Sequence, residues 1–250
     1  MTRQRNGSEG QPIPRGRQAV AAALALLATP ILVVVADLLR MAADGSVQAT
    51  GGLGGEGGPA ATESMMESIQ DNPELFGVAA VLTFAAAFTA VPAVILGWRL
   101  GAPTARVMAW AAAVLGVLFV FGRVTHTFTA YGLPLILADQ LGTGGAARLY
   151  DALNLHWATA MVIVPAIAGI ALWFPLLAVA LYRSRAIPLW AMVSVLAGTV
   201  VLMALGSSII ATPIFWVLTV AGLWPAAASV LGASKARLPE RDLGQREPAA

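Results

Sequence analysis

The chain has 250 residues, of which 58% are apolar and only 11% are charged, and its net charge is +2. Soluble domains carry about 25% charged residues, so these charges are too few to cover a water-facing surface, and the long apolar blocks indicate a membrane protein. The small net charge gives no reason to expect nucleic acid as a partner. The absence of cysteine excludes disulfides, thiol catalysis, zinc–thiolate sites, iron–sulfur clusters and lipoprotein anchors.

The N-terminal region consists of a polar arm and an apolar block. Residues 1–18 are rich in arginine, and we interpret them as a disordered cytoplasmic arm. The block Ala19–Leu39 is long enough to cross a membrane, because a span needs about 20 residues. A cleaved signal peptide, with its cleavage site at Val47-Gln48-Ala49, is the alternative. Signal peptides have apolar regions of about 7–15 residues, so the length favours a retained span, although cleavage stays open.

Residues 41–75 form an acidic loop that contains no Lys or Arg. Its glycine-rich tract, 51–58, is typical of a flexible tether and not of a phosphate-binding loop, because it does not join a strand to a helix. Ser64 and Glu67 have the spacing of a capping box, which predicts a short helix over Met65–Gln70. The six carboxylates of the loop belong to Asp44, Glu56, Glu63, Glu67, Asp71 and Glu74.

Five further apolar spans follow this loop. The second span opens at Asn72-Pro73-Glu74, a pattern of N-cap, first-turn proline and first-turn acid, and Thr212-Pro213 opens the sixth span in the same way. The segment Leu133–Ala138 is apolar but too short to span, so we expect it to lie in the interface or to enter the membrane partway. The predicted spans are Leu75–Trp98, Val107 to about Thr127, a segment within Asn154–Tyr182, Pro188–Leu205 and Thr212–Gly232, and a disordered tail follows at 234–250.

The distribution of basic residues predicts the orientation, because Lys and Arg beside spans concentrate on the cytoplasmic side. Twelve of the fifteen lie in the N-terminal arm, the turns at 99–106 and 183–185, and the C-terminal tail. These four segments share one side only if there are six spans. We therefore predict an all-α polytopic bundle of six transmembrane helices over 19–233, with both termini in the cytoplasm. The preference for Arg over Lys, with Lys235 as the only lysine, suggests a GC-rich bacterium and hence the bacterial cytoplasmic membrane.

Four ionisable side chains fall near the outer ends of predicted spans: Asp37, Arg123, His126 and His156. An ionisable group at the centre of a membrane costs at least about 2.5–3.5 kcal/mol, so each of these side chains needs a partner or a function. Arg123 and His126 lie three residues apart on one helix face. Because all four residues are distant from the basic turns, we expect them at a similar depth.

Three interpretations of this cluster remain open. In the structural interpretation, Asp37 pairs with Arg123 or with Arg40, and the histidines form hydrogen bonds at the interface. In the ligand-binding interpretation, His126 and His156 on neighbouring helices bind haem b or a metal ion of unknown identity. In the third interpretation, the aspartate, the arginine and the two histidines form a proton relay or a gated anion site.

No catalytic motif is recognisable elsewhere. The chain contains no G-x-S-x-G, H-E-x-x-H or Walker A motif and no paired intramembrane aspartates. The hydroxyls of Thr83, Thr89, Ser194 and Thr199 are expected to bond to their own helices. We therefore expect a non-enzymatic, structural or regulatory role in the lipid bilayer, with a membrane-protein partner or a second copy of the chain. A small transporter, or a haem- or metal-binding membrane protein, is the alternative.

One segment resembles a known group of proteins. Asn72-Pro73-Glu74-Leu75-Phe76, followed by a span that ends in Trp98-Arg99, is similar to a broad group of six-helix bacterial membrane proteins with a domain of unknown function. In that group an acidic first extracellular loop also ends in an Asn-Pro segment that opens the second helix. The resemblance covers the first half of the chain, and it implies a topology but no catalytic activity.

Overall fold

The computed structural model describes residues 16–44, 59–206 and 208–235, and every element in these residues is a helix. This confirms the predicted all-α class. Most of the predicted arm and tail, the glycine-rich tract and the alternative cleavage site lie outside the described residues. The elements are α1 (Arg17–Asp44), α2 (Pro59–Asp71), α3 (Pro73–His126), a π-helix (Thr127–Gly132), α4 (Leu133–Leu155), α5 (Trp157–Arg183), α6 (Leu189–Leu205) and α7 (Ala211–Lys235).

Helix α3 is a helical hairpin that reverses at Ala105, where the backbone leaves helical geometry with φ −125° and ψ 46°. Contacts between its two halves are centred on that residue. A Cβ atom built on Gly101 would lie 3.0 Å from the Cβ of Ala109, and one built on Gly116 would meet the side chain of Val94. The sequence predicted the reversal over 101–104, but these residues stay helical and the chain turns immediately after them.

Small residues bring the long helices close together. Gly169 of α5 packs against the backbone of Phe119 in α3, and Gly222 of α7 packs against the backbone of Ala191 in α6. Such close approaches between backbones are typical of helix packing in membranes. They surround an apolar core, which we call the bundle core, with an aromatic centre made of Phe119, Trp173, Phe174, Phe215 and Trp216.

The outer surface of this bundle is also apolar. In the first half of α3 the buried positions are mostly alanine and glycine, whereas the exposed face carries larger side chains, with Val81 68% exposed and Phe88 62% exposed. Within the described ranges, four helices are long and apolar enough to cross a membrane, judged by length and composition. One of them is the continuous segment Pro73–Leu155, which includes the hairpin, and α6 is a shorter apolar helix of 17 residues. The exposed residues on this face of α3 are Leu75, Val78, Val81, Phe84, Phe88, Val91 and Ile95.

A second apolar core lies at one end of the bundle. It joins α2, α4, the π-helix and the first turns of α3, and we call this region the cap. Hydrogen bonds reinforce it: Thr62 Oγ1 donates to Asp151 Oδ1 (2.7 Å), and Gln70 Nε2 donates to the carbonyl oxygen of Ala138 (3.0 Å). The buried side chains of the cap core are Ala43, Met65, Met66, Ile69, Phe76, Ala79, Ala130, Tyr131, Leu137, Ala138, Ala146, Ala147 and Tyr150.

Helix starts in and beside the cap differ in part from the sequence prediction. Helix α3 begins at Pro73 after Asn72, as predicted, although the Asn72 side chain donates to the carbonyls of Ala43 and Ser68 and does not cap α3. The capping box at Ser64 is wrong, because α2 already begins at Pro59. The segment from Leu133 belongs to α4, which continues through a bend at Gly142 with φ +66°, a conformation that favours glycine.

The predicted N-cap at Thr212 is also wrong. Helix α7 begins one residue earlier, and the hydroxyl of Ser208 accepts a hydrogen bond from the backbone N–H of Ala211 (3.0 Å). Thr212 therefore lies within the first turn, where its own hydroxyl is buried without a hydrogen-bond partner.

Candidate functional site: a polar layer between two apolar cores

Polar residues occupy one level of the molecule, between the bundle core and the cap core. On α1, Asp37 and Arg40 fall between Val33 of the bundle core and Ala43 of the cap core. The same order recurs on both halves of α3. Thr83 falls between Ala79 and Ala86, and Arg123 and His126 fall between Phe119 and Ala130. We call these five residues, together with Tyr131, the polar layer.

Arg123 is the most enclosed charged residue of the layer, with 4% of its surface exposed. Its Cζ atom lies 5.3 Å from the ring centroid of Phe119 and 6.0 Å from that of Trp216. Phe119 precedes Arg123 by about one turn, so the side chain points back along its helix, as Cβ geometry favours. The aromatic rings give the guanidinium a favourable electrostatic contact where water is excluded.

The layer carries an excess of positive charge. The carboxylate of Asp37 lies within electrostatic range of Arg123, and the guanidinium of Arg40, which is 6% exposed, lies within range of Arg123 and of His126. With His126 neutral, one carboxylate therefore faces two guanidinium groups, which leaves one net positive charge. In the described part of the chain Asp37 is the only carboxylate that acts on Arg123.

The π-helix aligns Tyr131 with His126. Residues five apart in an α-helix are rotated by about 140° from each other, because the helix has about 3.6 residues per turn. In a π-helix, residues five apart are joined by hydrogen bonds and return to nearly the same face. Accordingly the rings of His126 and Tyr131 meet edge to face, with centroids 5.6 Å apart. The wider turn thus moves a fully buried tyrosine into the polar layer.

Hydrogen-bond donors in the layer are left without acceptors. The Nε atoms of Arg40 and Arg123, the hydroxyl of Tyr131 and the hydroxyl of Thr83 are all buried, and none has a hydrogen-bond partner among the described residues. The hydroxyls of Tyr131 and Thr83 lie within reach of each other, although no hydrogen bond of good geometry joins them in the described residues. Buried polar groups without partners are rare in folded proteins and cost about 1–3 kcal/mol each. Four such groups at one level distinguish the polar layer from the two apolar cores.

His156 does not belong to this layer. It follows α4 at the junction with α5, its side chain is exposed, and its ring lies 5.7 Å from the ring of Trp157. The packing of Gly122 against Ala166 sets the register between α3 and α5. In that register His156 lies about six residues beyond the position opposite His126, which is roughly 9 Å at ~1.5 Å per residue.

The ligand-binding interpretation thus has its two histidines in different surroundings. His126 is half-buried and close to two arginines, an electrostatic setting that disfavours a bound cation. Among the described residues no group of three or more His, Asp or Glu side chains is arranged to hold a metal ion. The relay and structural interpretations keep Asp37, Arg123 and His126 together.

Sequence reasoning missed two members of the layer and underrated a third. Tyr131 stood in a stretch without clear periodicity, and its position depends on the π-helix. Thr83 was expected to bond to its own helix, as Thr89, Ser194 and Thr199 do, but its hydroxyl is unpartnered. Arg40 was considered only as a partner for Asp37. The sequence signal that could have identified Arg40 as a member of the layer is its position one helical turn after Asp37 on α1.

No protein-family model, curated protein or solved structure matches this chain. The resemblance at Asn72–Phe76 therefore stays a prediction.

Proposed function

We propose that this chain is a six-span integral protein of the bacterial cytoplasmic membrane with a non-enzymatic, structural or regulatory role. The main support for a location in the membrane is the exposed apolar face of α3, which runs without interruption from Leu75 to Ile95. Soluble monomers rarely expose apolar patches beyond a few hundred Å². A lipid environment accommodates such a face without cost. The hairpin of α3 supplies two of the six spans, and α1, α5, α6 and α7 supply the others.

The orientation that we propose puts both termini and the basic turns in the cytoplasm and the cap outside. Labelling of single cysteines with an impermeant maleimide in intact cells tests it, because the chain has no native cysteine. Ser64 in the cap and Thr104 at the hairpin turn are both exposed, so Ser64→Cys and Thr104→Cys form a matched pair. We expect labelling of the first variant only, with the second labelled after lysis. The opposite pattern would refute the orientation.

The proposed role follows from the enclosure of the polar layer. Its arginines are 4–6% exposed and lie beneath the cap, so among the described residues little of either side chain meets the surrounding water. An enclosed charged layer is better suited to holding helices together, or to binding a regulatory group, than to the repeated binding and release of substrate that catalysis requires. The lipid bilayer is the first partner in this proposal, and a membrane-protein partner or a second copy of the chain is the second.

A small transporter is the second candidate. One observation favours it: the π-helix directly follows His126, and π-helical turns occur frequently at functional sites. A cap that opened there would connect the polar layer to the outside. Uptake of radiolabelled acetate into proteoliposomes tests this candidate. Uptake above that of protein-free vesicles, reduced by Arg40→Gln, would favour transport, whereas uptake equal to that of the vesicles would favour the non-transporting role.

Haem binding is tested separately by a visible absorbance scan of the purified protein. A Soret band that is lost in His126→Ala would establish haem at that residue. We expect no such band, because two neighbouring arginines already give His126 a positive environment.

A further inference from the structure

We propose that the polar layer binds an oxyanion with one net negative charge, held by Arg40, Arg123, Tyr131 and Thr83. This inference goes beyond the proposed function, because it assigns a ligand class to a layer that is otherwise a tie between helices. It depends on the burial and charge of these side chains, and it holds whichever side of a membrane the cap faces.

The first argument is the chemistry of the unpartnered atoms. All four are donors or can donate: two guanidinium Nε–H groups and two hydroxyls. Arg40, Arg123, Thr83 and Tyr131 are each more than nine-tenths buried, so water at the surface does not satisfy them. Buried donors at one level of the molecule without an acceptor match an oxyanion, because carboxylate and phosphate oxygens accept several hydrogen bonds at once.

The second argument is the charge of the layer. Asp37 neutralises one guanidinium, and one positive charge remains. A monoanion would bring the layer to neutrality, whereas a cation would increase an unbalanced charge in a low-dielectric setting. Arginine is the residue best suited to such a ligand, since its planar fork matches the geometry of carboxylate and phosphate.

Two sources supply this chemistry, a free carboxylate or phosphate monoanion and the phosphodiester of an anionic lipid. The lipid source has support on the surface. An apolar groove of about 390 Å³ runs between α1 and α7, and it is lined in part by Trp216, whose ring lies 6.0 Å from Arg123 Cζ. An acyl chain in this groove would hold its headgroup near the polar layer.

The experiment measures the thermal stability of purified protein in a neutral detergent, titrated with acetate, with phosphate and with chloride as the reference anion. A parallel series uses nanodiscs of phosphatidylcholine with and without phosphatidylglycerol. We expect an oxyanion to stabilise the protein. Stabilisation by acetate or phosphate would identify a free anion, and stabilisation by phosphatidylglycerol alone would identify a lipid. An absence of stabilisation in both series, or equal stabilisation by chloride, would overturn the proposal.

Variants connect any stabilisation to the layer. Arg40→Gln leaves the charges of Asp37 and Arg123 balanced, so it should fold, and we expect it to weaken anion binding at least about tenfold. Tyr131→Phe and Thr83→Val remove only unpartnered hydroxyls, and each should weaken binding roughly three- to tenfold. Arg99→Gln changes an exposed arginine beside the hairpin turn of α3, at the other end of the bundle, and as the matched control it should bind normally.

These variants also separate binding from a purely structural role. Without an anion, Tyr131→Phe and Thr83→Val should leave stability unchanged or raise it, because the lost hydroxyls have no hydrogen-bond partners of good geometry among the described residues. Unaltered anion affinity in both of these variants would overturn the proposal, even if Arg40→Gln failed to fold. The cysteine-labelling pattern is independent of these measurements, so a failure of anion binding leaves the proposed topology in place.

Discussion

The bundle and the cap are built by opposite rules. In the bundle, small residues lie between the helices and large apolar side chains cover the outside, and most of its hydroxyls bond to their own helices, as Thr219 does to the carbonyl of Phe215. In the cap, large apolar residues such as Met66 and Ile69 are inside, and the exposed positions of α2 carry polar residues such as Ser64, Glu67 and Gln70. The outer face of the bundle therefore suits lipid, and within the cap the face of α2 suits water.

The comparison explains where the charges are. Arginines that lie deep in either core would have neither lipid headgroups nor water beside them. At the boundary between the two cores, α1 and both halves of α3 contribute polar side chains at the same level, where the carboxylate of Asp37 offsets one of the two arginine charges. The polar layer is thus a property of the boundary between the two regions, and it connects a lipid-suited fold to a water-suited one.

The largest expected effect comes from breaking the charge balance at this boundary. Asp37→Asn leaves two buried guanidinium groups without a carboxylate, and we expect a loss of stability of up to about 3–5 kcal/mol. Arg123→Gln leaves the neutral combination of Asp37 and Arg40, so its effect should be smaller. The double variant, Asp37→Asn with Arg123→Gln, should lose less stability than the sum of the two single losses. In it only one guanidinium group, that of Arg40, is left without a carboxylate. Thermal denaturation in detergent measures all three.

Strict additivity in this cycle would show that Asp37 acts on Arg40 alone. In the described residues Asp37 and Arg123 interact through their charges, and no direct hydrogen bond joins them. A coupling of intermediate size is therefore expected, and Asp37→Asn combined with Arg40→Gln should show a similar one.

The second effect lies within the bundle. A Cβ atom on Gly169 would overlap the backbone of Phe119, so Gly169→Ala must push α5 away from α3, at a cost of about 1–3 kcal/mol or more. Gly77 is the matched control, since nothing lies within 4 Å of its Cβ position. Gly77→Ala should stabilise α3 by about 0.5–1 kcal/mol, because alanine is the better helix former. Effects of the same sign in both variants would contradict the packing described here.

The third effect concerns the start of α7. Ser208→Ala removes the acceptor for the backbone N–H of Ala211 and should cost about 0.5–2 kcal/mol. Thr212→Val replaces a hydroxyl that has no partner and should be neutral or slightly stabilising. The sequence pattern predicted the reverse order for these two residues. A greater loss in Thr212→Val, measured by thermal denaturation, would restore the sequence-based assignment.

The helices could be predicted because their signals are local. A proline at the first helical position and long apolar blocks do not depend on distant contacts, and so the start of α3 at Pro73 and the end of α6 at Leu205 agree with the structure. The prediction failed at Ser64 and Thr212, where a preceding residue had already started the helix. Local signals locate a helix better than they locate its first residue.

The composition of the polar layer could be predicted only in part. Asp37, Arg123 and His126 were identified because charged groups in apolar blocks are conspicuous in the sequence. Tyr131 lies beside these residues only because of the π-helix. His156 lies outside the layer because of the register between α5 and α3, which the contact of Gly122 with Ala166 sets. Both depend on tertiary packing, which no single segment of sequence encodes.

The smallest expected effect is confined to the cap, and it tests whether the two regions are separable. Thr62 Oγ1 donates to Asp151 Oδ1 at 2.7 Å and connects α2 to α4, while both side chains stay partly accessible to water. Thr62→Val keeps the shape of the side chain and removes this bond, at a cost of about 1 kcal/mol or less because solvent replaces part of it. A loss of this size would barely move the global transition. It would, however, increase local opening of the cap, because hydrogen exchange reports the least stable cooperative unit that contains an amide. We therefore expect faster exchange in α2 and α4 with no change in α5, α6 and α7.

The control is Thr199→Val, which removes a hydrogen bond from the Thr199 hydroxyl to the carbonyl oxygen of Val195 in the bundle. It should leave exchange in the cap unchanged. Faster exchange throughout the chain in Thr62→Val would mean that cap and bundle unfold as one unit, and the division between them would then describe surface composition only.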